Sequence, residues 1–77
     1  MMTDRIYEIV SKVFNISVSQ ITDESGQESI EAWDSFNVYV LLDEIESAFD
    51  IKFNLDESTE IKKVGDLRKI LQNHGAI

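Results

Sequence analysis

EAWDSFNVYVLLDEIESAFDIKF, Glu31 to Phe53, is the stretch on which the fold turns. From Ser35 to Phe49 the apolar residues Val38, Leu41, Leu42, Ile45 and Phe49 recur at three- and four-residue steps, while Asp43, Glu44, Glu46 and Ser47 lie off that stripe. A period near 3.6 residues is that of an amphipathic helix laid against a core. Asp34 or Ser35 can cap its start, because either side chain can accept from a free N–H of the first turn. Asp50 to Phe53 then leaves the helix, with Ile51 and Phe53 expected to close over the core. Phe36, Tyr39 and Val40 lie partly off the stripe, where they could form a small exposed apolar patch beside Ser35. Phe36 could instead tuck under the preceding loop, and Tyr39 could join the core.

Upstream, Ile6, Ile9, Val10 and Val13 fall at i, i+3, i+4 and i+7, which predicts a first helix over Arg5 to Phe14. Thr3 is its expected N-cap, with Asp4 favourable in the first turn. Asn15 to Asp34 shows no sustained period. A connection of roughly 20 residues is long for a compact domain, and such loops are often functional. Ile16, Val18, Ile21, Ile30 and Trp33 are expected to pin it, with one short turn around Val18 to Ile21. Downstream, Asp56 to Ile61 suffices for a short helical turn that Asp56, Glu57 or Ser58 could start. A last helix is predicted from Val64 to Asn73, with Val64, Leu67, Ile70 and Leu71 on its apolar face. Lys63 is a poor cap for it, and Gly75 stands where a left-handed helix end favours glycine. The expected fold is all-α: a small four-helix bundle of three longer helices and one short one, with a long loop after the first.

The chain has 77 residues, which predicts one domain over residues 1–77. It has no cysteine, which excludes disulfides, Cys-based zinc sites and thiol catalysis by the protein itself. No apolar run approaches the ~20 residues that span a bilayer, and MMTDRIYEIV lacks the pattern of a signal peptide. A soluble, cytoplasmic protein without membrane insertion is therefore expected, and a monomer. Lys and Arg total 7 against 15 Asp and Glu, a net charge of −8. That sign opposes nucleic-acid binding. It either favours partners with basic patches or simply keeps a small protein in solution.

Few residues could carry chemistry. The only histidine, His74, is expected to be a solvated residue at a helix end, so no base accompanies a nucleophilic serine. Asp43, Glu44 and Glu46 read as a wet helix face, and no EF-hand spacing supports a metal site. Nothing predicts an enzyme or a catalytic residue. Ser35 is the remaining candidate. An Asp-Ser pair before a helix is ordinarily a cap, yet a helix start also suits a phosphodiester on such a serine.

Asp34-Ser35-Phe36, followed by Leu41-Leu42, Ile45, Phe49-Asp50-Ile51 and Val64-Gly65-Asp66-Leu67, resembles the acyl carrier proteins. Ile21-Thr22-Asp23 and the length of the first helix extend the resemblance over nearly the whole chain. It implies that a separate phosphopantetheinyl transferase attaches 4′-phosphopantetheine from coenzyme A to Ser35. The thiol of that arm would carry acyl or aminoacyl groups as thioesters among acyl-loading and acyl-processing enzymes, in fatty acid, polyketide or related biosynthesis. It also implies that Asp34 helps bind the transferase and its magnesium, and that Phe36 docks into an apolar pocket there. Partner recognition would involve Asp34, Phe36, Tyr39, Val40, Asp43, Glu44 and Glu46. Trp33, Asn37 and Val40 depart from carriers of fatty acid synthesis and resemble specialised-pathway members instead. The rival reading is an unmodified acidic adaptor with a carrier-like fold, in which Ser35 is only a cap.

Overall fold

The structure, a computed structural model, describes residues 4–77. Among them four α-helices, α1 (Arg5–Phe14), α2 (Ser35–Phe49), α3 (Leu55–Glu60) and α4 (Val64–Asn73), form a small all-α bundle. One 3₁₀ turn, Val18–Gln20, lies in the long α1–α2 connection, where a short turn was expected. Thr3 lies outside the described residues. Asp4, expected within the first turn, is itself the cap of α1, its Oδ1 accepting the N–H of Ile6 at 2.9 Å. Helices α1 and α2 both end on a left-handed residue, Asn15 and Asp50, the short polar types that tolerate that conformation.

The short helix starts one residue earlier than its acidic residues suggest. Asn54 accepts the N–H of Glu57 at 2.8 Å, and Glu57 accepts the N–H of Asn54 at 3.0 Å, a reciprocal capping box. The Asn54 N–H holds the Glu57 carboxyl below the usual range against the opposing effect of burial, and His74 lowers it further. Gly75 adopts φ +74° after α4, as expected of a glycine just past a helix end. His74 is more engaged than a solvated end residue: Nε2 lies 2.9 Å from Glu57 Oε2, and its ring meets the Phe53 ring edge-on.

Helices α1, α2 and α4 each give the core their apolar stripe, with Val10, Leu41, Ile45, Val64, Leu67 and Leu71 fully enclosed. The loop adds Ile21, Ile30 and Trp33 to the same cluster. Backbone hydrogen bonds hold the loop as well. Gln27 N–H donates to Lys62 O at 3.0 Å, Val64 N–H to Ser25 O at 2.8 Å and Gly65 N–H to Asp23 O at 2.8 Å. Loop residues 23–27 are thus clamped to the α3–α4 connection. The same bonds satisfy the first N–H groups of α4, which Lys63 does not cap. The approach is closest at Gly26, where a Cβ would stand 2.1 Å from Lys62 O and 2.6 Å from Lys63 Cα. Gly26→Ala must therefore push the two backbone segments apart, and urea unfolding should show a loss of about 1–3 kcal/mol, as for an overpacked site. Wild-type stability in that variant would mean the clamp tolerates separation.

A polar knot reinforces the clamp. Arg68 of α4 reaches Asp4 Oδ2 at 2.6 Å and Asp23 Oδ1 at 3.2 Å, and the Tyr7 hydroxyl donates to Asp23 Oδ1 at 2.7 Å. Although burial opposes its charge, the hydrogen bonds of Asp23 and Asp4 raise the Arg68 guanidinium above its ordinary pKa. The Tyr7 hydroxyl first and Arg68 second hold the Asp23 carboxyl below the usual range. A carboxylate with a depressed folded pKa contributes stability above its unfolded pKa and loses it as pH falls through the folded value. Arg68→Met should cost about 1–2 kcal/mol near neutral pH, given partners screened by solvent. The deficit should shrink as pH falls through the depressed folded pKa of Asp23. Thermal unfolding across pH checks this, and a deficit constant down to acid pH would count against the charge assignment.

Candidate functional site

The helix start settles which residue caps α2. Asp34 is extended, at φ −119° and ψ 175°, and its Oδ1 accepts the N–H of Asn37 at 2.8 Å. Ser35 is the first helical residue and not the cap, which corrects the expectation that it could be cap and handle at once. Its side chain is exposed, and Oγ makes no hydrogen bond among the described residues. The N–H groups of Ser35 and Phe36 likewise find no protein acceptor there. An exposed hydroxyl therefore sits beside two unsatisfied donors and the positive end of a helix dipole, a setting favourable to an oxygen that comes to bear a phosphate.

The approach to that helix is built from the side chains before and after it. Trp33 is 8% exposed and stacks on Phe14, with ring centroids 5.2 Å apart and planes at 10°. Its N–H donates to Ile30 O at 3.0 Å, and the next N–H, of Asp34, donates to Ala32 O at 2.9 Å. The Asn37 side chain reaches back from the first turn of α2, donating through Nδ2 to Ala32 O at 2.9 Å. Neither the stack nor this amide tie was read from the sequence. Trp33 stood out there as one of the apolar residues expected to pin the loop and as a departure from a family pattern, and Asn37 only as a residue standing where fatty acid carriers often have an acid. An asparagine three residues after an aspartate cap was the available signal.

The residues expected to face partners divide in two. Phe36 and Tyr39 are 75% and 76% exposed and Val40 is 39% exposed, so neither aromatic ring tucks under the loop or into the core. Asp43 is exposed on the next turn. Glu44 pairs loosely with Lys12 of α1 at 3.8 Å. Glu46 is half-buried and its Oε2 accepts the N–H of Phe53 at 2.8 Å, so it fastens the chain leaving α2 and is not simply part of a wet face. Among the described residues no group of three or more acids and histidines is disposed to hold a metal ion, and no helix is long and apolar enough to cross a membrane.

The cap allows stability to be separated from chemistry at this site. Asparagine caps helices about as well as aspartate, so Asp34→Asn should unfold within a few tenths of a kcal/mol of wild type, whereas Asp34→Ala should lose about 0.5–2 kcal/mol. Equal losses in both variants, measured by chemical denaturation, would show that the carboxylate charge and not the capping hydrogen bond supports the helix.

No protein-family model matches the chain. Among curated proteins, an acyl carrier protein of Streptococcus pneumoniae is 33% identical over 64 residues, 83% of this chain and 82% of the relative. An acyl carrier protein of Brachyspira hyodysenteriae is 31% identical over 74 residues, 95% of each chain.

Proposed function

This chain belongs to the acyl carrier protein family, and on that premise we propose that Ser35 takes a 4′-phosphopantetheine arm on which acyl or aminoacyl groups travel between partner enzymes. A protein of this family is a carrier and not an enzyme. The observation that carries the reading is the free Ser35 hydroxyl at the first position of α2, with capping left to its neighbour Asp34. In the reaction Ser35 Oγ attacks the β-phosphate of coenzyme A within a separate phosphopantetheinyl transferase. An Oγ–P bond forms, the phosphoanhydride bond breaks, the hydroxyl proton passes to a base, and the adenosine bisphosphate half leaves. The attached arm supplies the thiol that this cysteine-free chain lacks. The residues around Ser35 fit such a group: the site is open to solvent, and two backbone donors beside it are free to meet a phosphodiester.

Phe36, Tyr39 and Val40 form the apolar part of the proposed docking face for the transferase and for acyl-processing enzymes. Asp34 and Asp43 supply its charge, with Glu44 and Glu46 at the margin because both also serve the fold. Net charge −8 supports partners with basic patches, whose encounter such a field would speed. We also assign the chain to a specialised pathway, on the strength of Trp33, and to the cytoplasm as a monomer with one carrier unit over residues 1–77.

Incubation with coenzyme A and a promiscuous phosphopantetheinyl transferase should add one arm, read by intact mass. Ser35→Ala should add none while keeping the circular dichroism of wild type. An unchanged wild-type mass, under conditions that modify a control carrier, would instead favour the unmodified adaptor.

A further inference from the structure

We propose that Tyr39 is a seat for the arm on this carrier, its ring holding the two methyl groups of the pantoyl unit and its hydroxyl donating to the phosphodiester; this rests on the reading of Ser35 as the attachment site. Ser35 and Tyr39 stand four residues apart on α2. That spacing puts them on one face, about 6 Å from each other along the axis. Both are exposed, and Tyr39 belongs neither to the core nor to the residues packed against it. Long side chains on a helix lean back over the preceding turn, a preference that carries the Tyr39 ring towards Ser35. Phe36, one residue after the serine, is turned about 100° round the axis from it. The Tyr39 hydroxyl finds no protein partner among the described residues, unlike that of Tyr7, which donates to Asp23 Oδ1 at 2.7 Å.

The charge pattern favours a neutral donor in this place. No lysine, arginine or histidine occurs from Asn15 to Asp50, so neither the loop nor α2 offers a cation to an anionic phosphodiester. The two basic residues of α1 lie against the later half of α2, Lys12 beside Glu44 at 3.8 Å and Arg5 over the Phe49 ring. The Asn37 amide is spent on Ala32 O at 2.9 Å. What remains near Ser35 is its own N–H, that of Phe36, and the Tyr39 hydroxyl one turn on. A phenol donates without adding charge, and its ring offers an apolar surface to methyl groups. Attachment one turn away keeps the arm at high effective concentration over the ring, so a weak contact suffices. A partner that covers the ring would then free the arm for delivery.

The test uses the full chain carrying the arm, prepared with coenzyme A and a transferase and verified by intact mass, with Tyr39→Phe, Tyr39→Ala and Val40→Ala beside the wild type. In the wild type, proton NMR should show Overhauser contacts between the pantoyl methyls and the Tyr39 ring, with upfield ring-current shifts of those methyls. Tyr39→Ala should lose both signals and shift the phosphorus resonance of the diester. Tyr39→Phe should keep the methyl signals while its phosphorus resonance moves to that of Tyr39→Ala. Val40→Ala should match the wild type throughout. Alanine is the strongest helix former, so Tyr39→Ala should keep the wild-type circular dichroism, which separates a lost contact from a lost helix. Methyl shifts in Tyr39→Ala equal to those of the wild type would overturn the proposal and leave Tyr39 to partner docking alone. A phosphorus resonance unmoved in Tyr39→Phe would overturn the hydrogen bond. A wild type that takes up no arm where a control carrier does would overturn the assignment of Ser35 itself, before any Tyr39 variant is compared.

Discussion

At Gly26 the loop backbone passes so near the α3–α4 connection that one added carbon would meet the Lys62 carbonyl at 2.1 Å. That approach lets the loop and the start of α4 satisfy each other's backbone groups, which neither could do alone. A loop lying on the core would otherwise bury unpaired N–H and C=O groups, a cost comparable to a lost hydrogen bond for each. Once residues 23–27 are fixed, the chain runs from Gly26 through two turn bonds at Ser29 and Ile30 and delivers Ile30 and Trp33 to the core. The start of α2 inherits its place from those anchors. In this sense the site is set by contacts made well before it in the chain.

Charge plays a narrower role than the composition suggests. With 15 acids against 7 basic residues, most carboxylates have no cation to meet. The structure spends Arg68 on two of them at once, and the pair it selects, Asp4 and Asp23, joins the start of α1 to the clamped loop. Tyr7 completes the set by donating to Asp23 while its ring lies beneath the guanidinium, 5.5 Å away. Elsewhere acids are used as hydrogen-bond acceptors, as at Glu46 and Glu57.

Periodicity made the helices legible. Ile45 and Leu67 could be assigned to the core from spacing alone, since burial of one face every 3.6 residues leaves an imprint on the sequence. The loop left no such imprint. Its pairing with Lys62, Val64 and Gly65 is made by backbone atoms, which all residues share, and only the glycine hints at the close approach. Arg68 was equally opaque, because its partners lie 45 and 64 residues away in sequence and nothing local marks them. At the site, the exposed patch of Phe36, Tyr39 and Val40 was legible as residues off the stripe. The capping box of Asn54 and Glu57 was written in the sequence but masked by the acids that follow Asn54, which are themselves favourable in a first turn.

The separation of the capping carboxylate of Asp34 from the free hydroxyl of Ser35 has a physical logic. A serine that capped α2 would hold its Oγ against the backbone N–H of the third helical residue, fixing its rotamer and engaging a lone pair. Such an oxygen must break that bond before it can attack a phosphate, and its loss on modification would uncap the helix. Aspartate one residue earlier removes both conflicts. Its carboxylate carries the capping bond at 2.8 Å, so the hydroxyl of Ser35 is free to rotate. The helix keeps its cap whether or not Ser35 carries a group, and a bulky substituent at an exposed first position meets no core atom. Under the proposed reading, Ser35 would take its group without a change in how the chain folds.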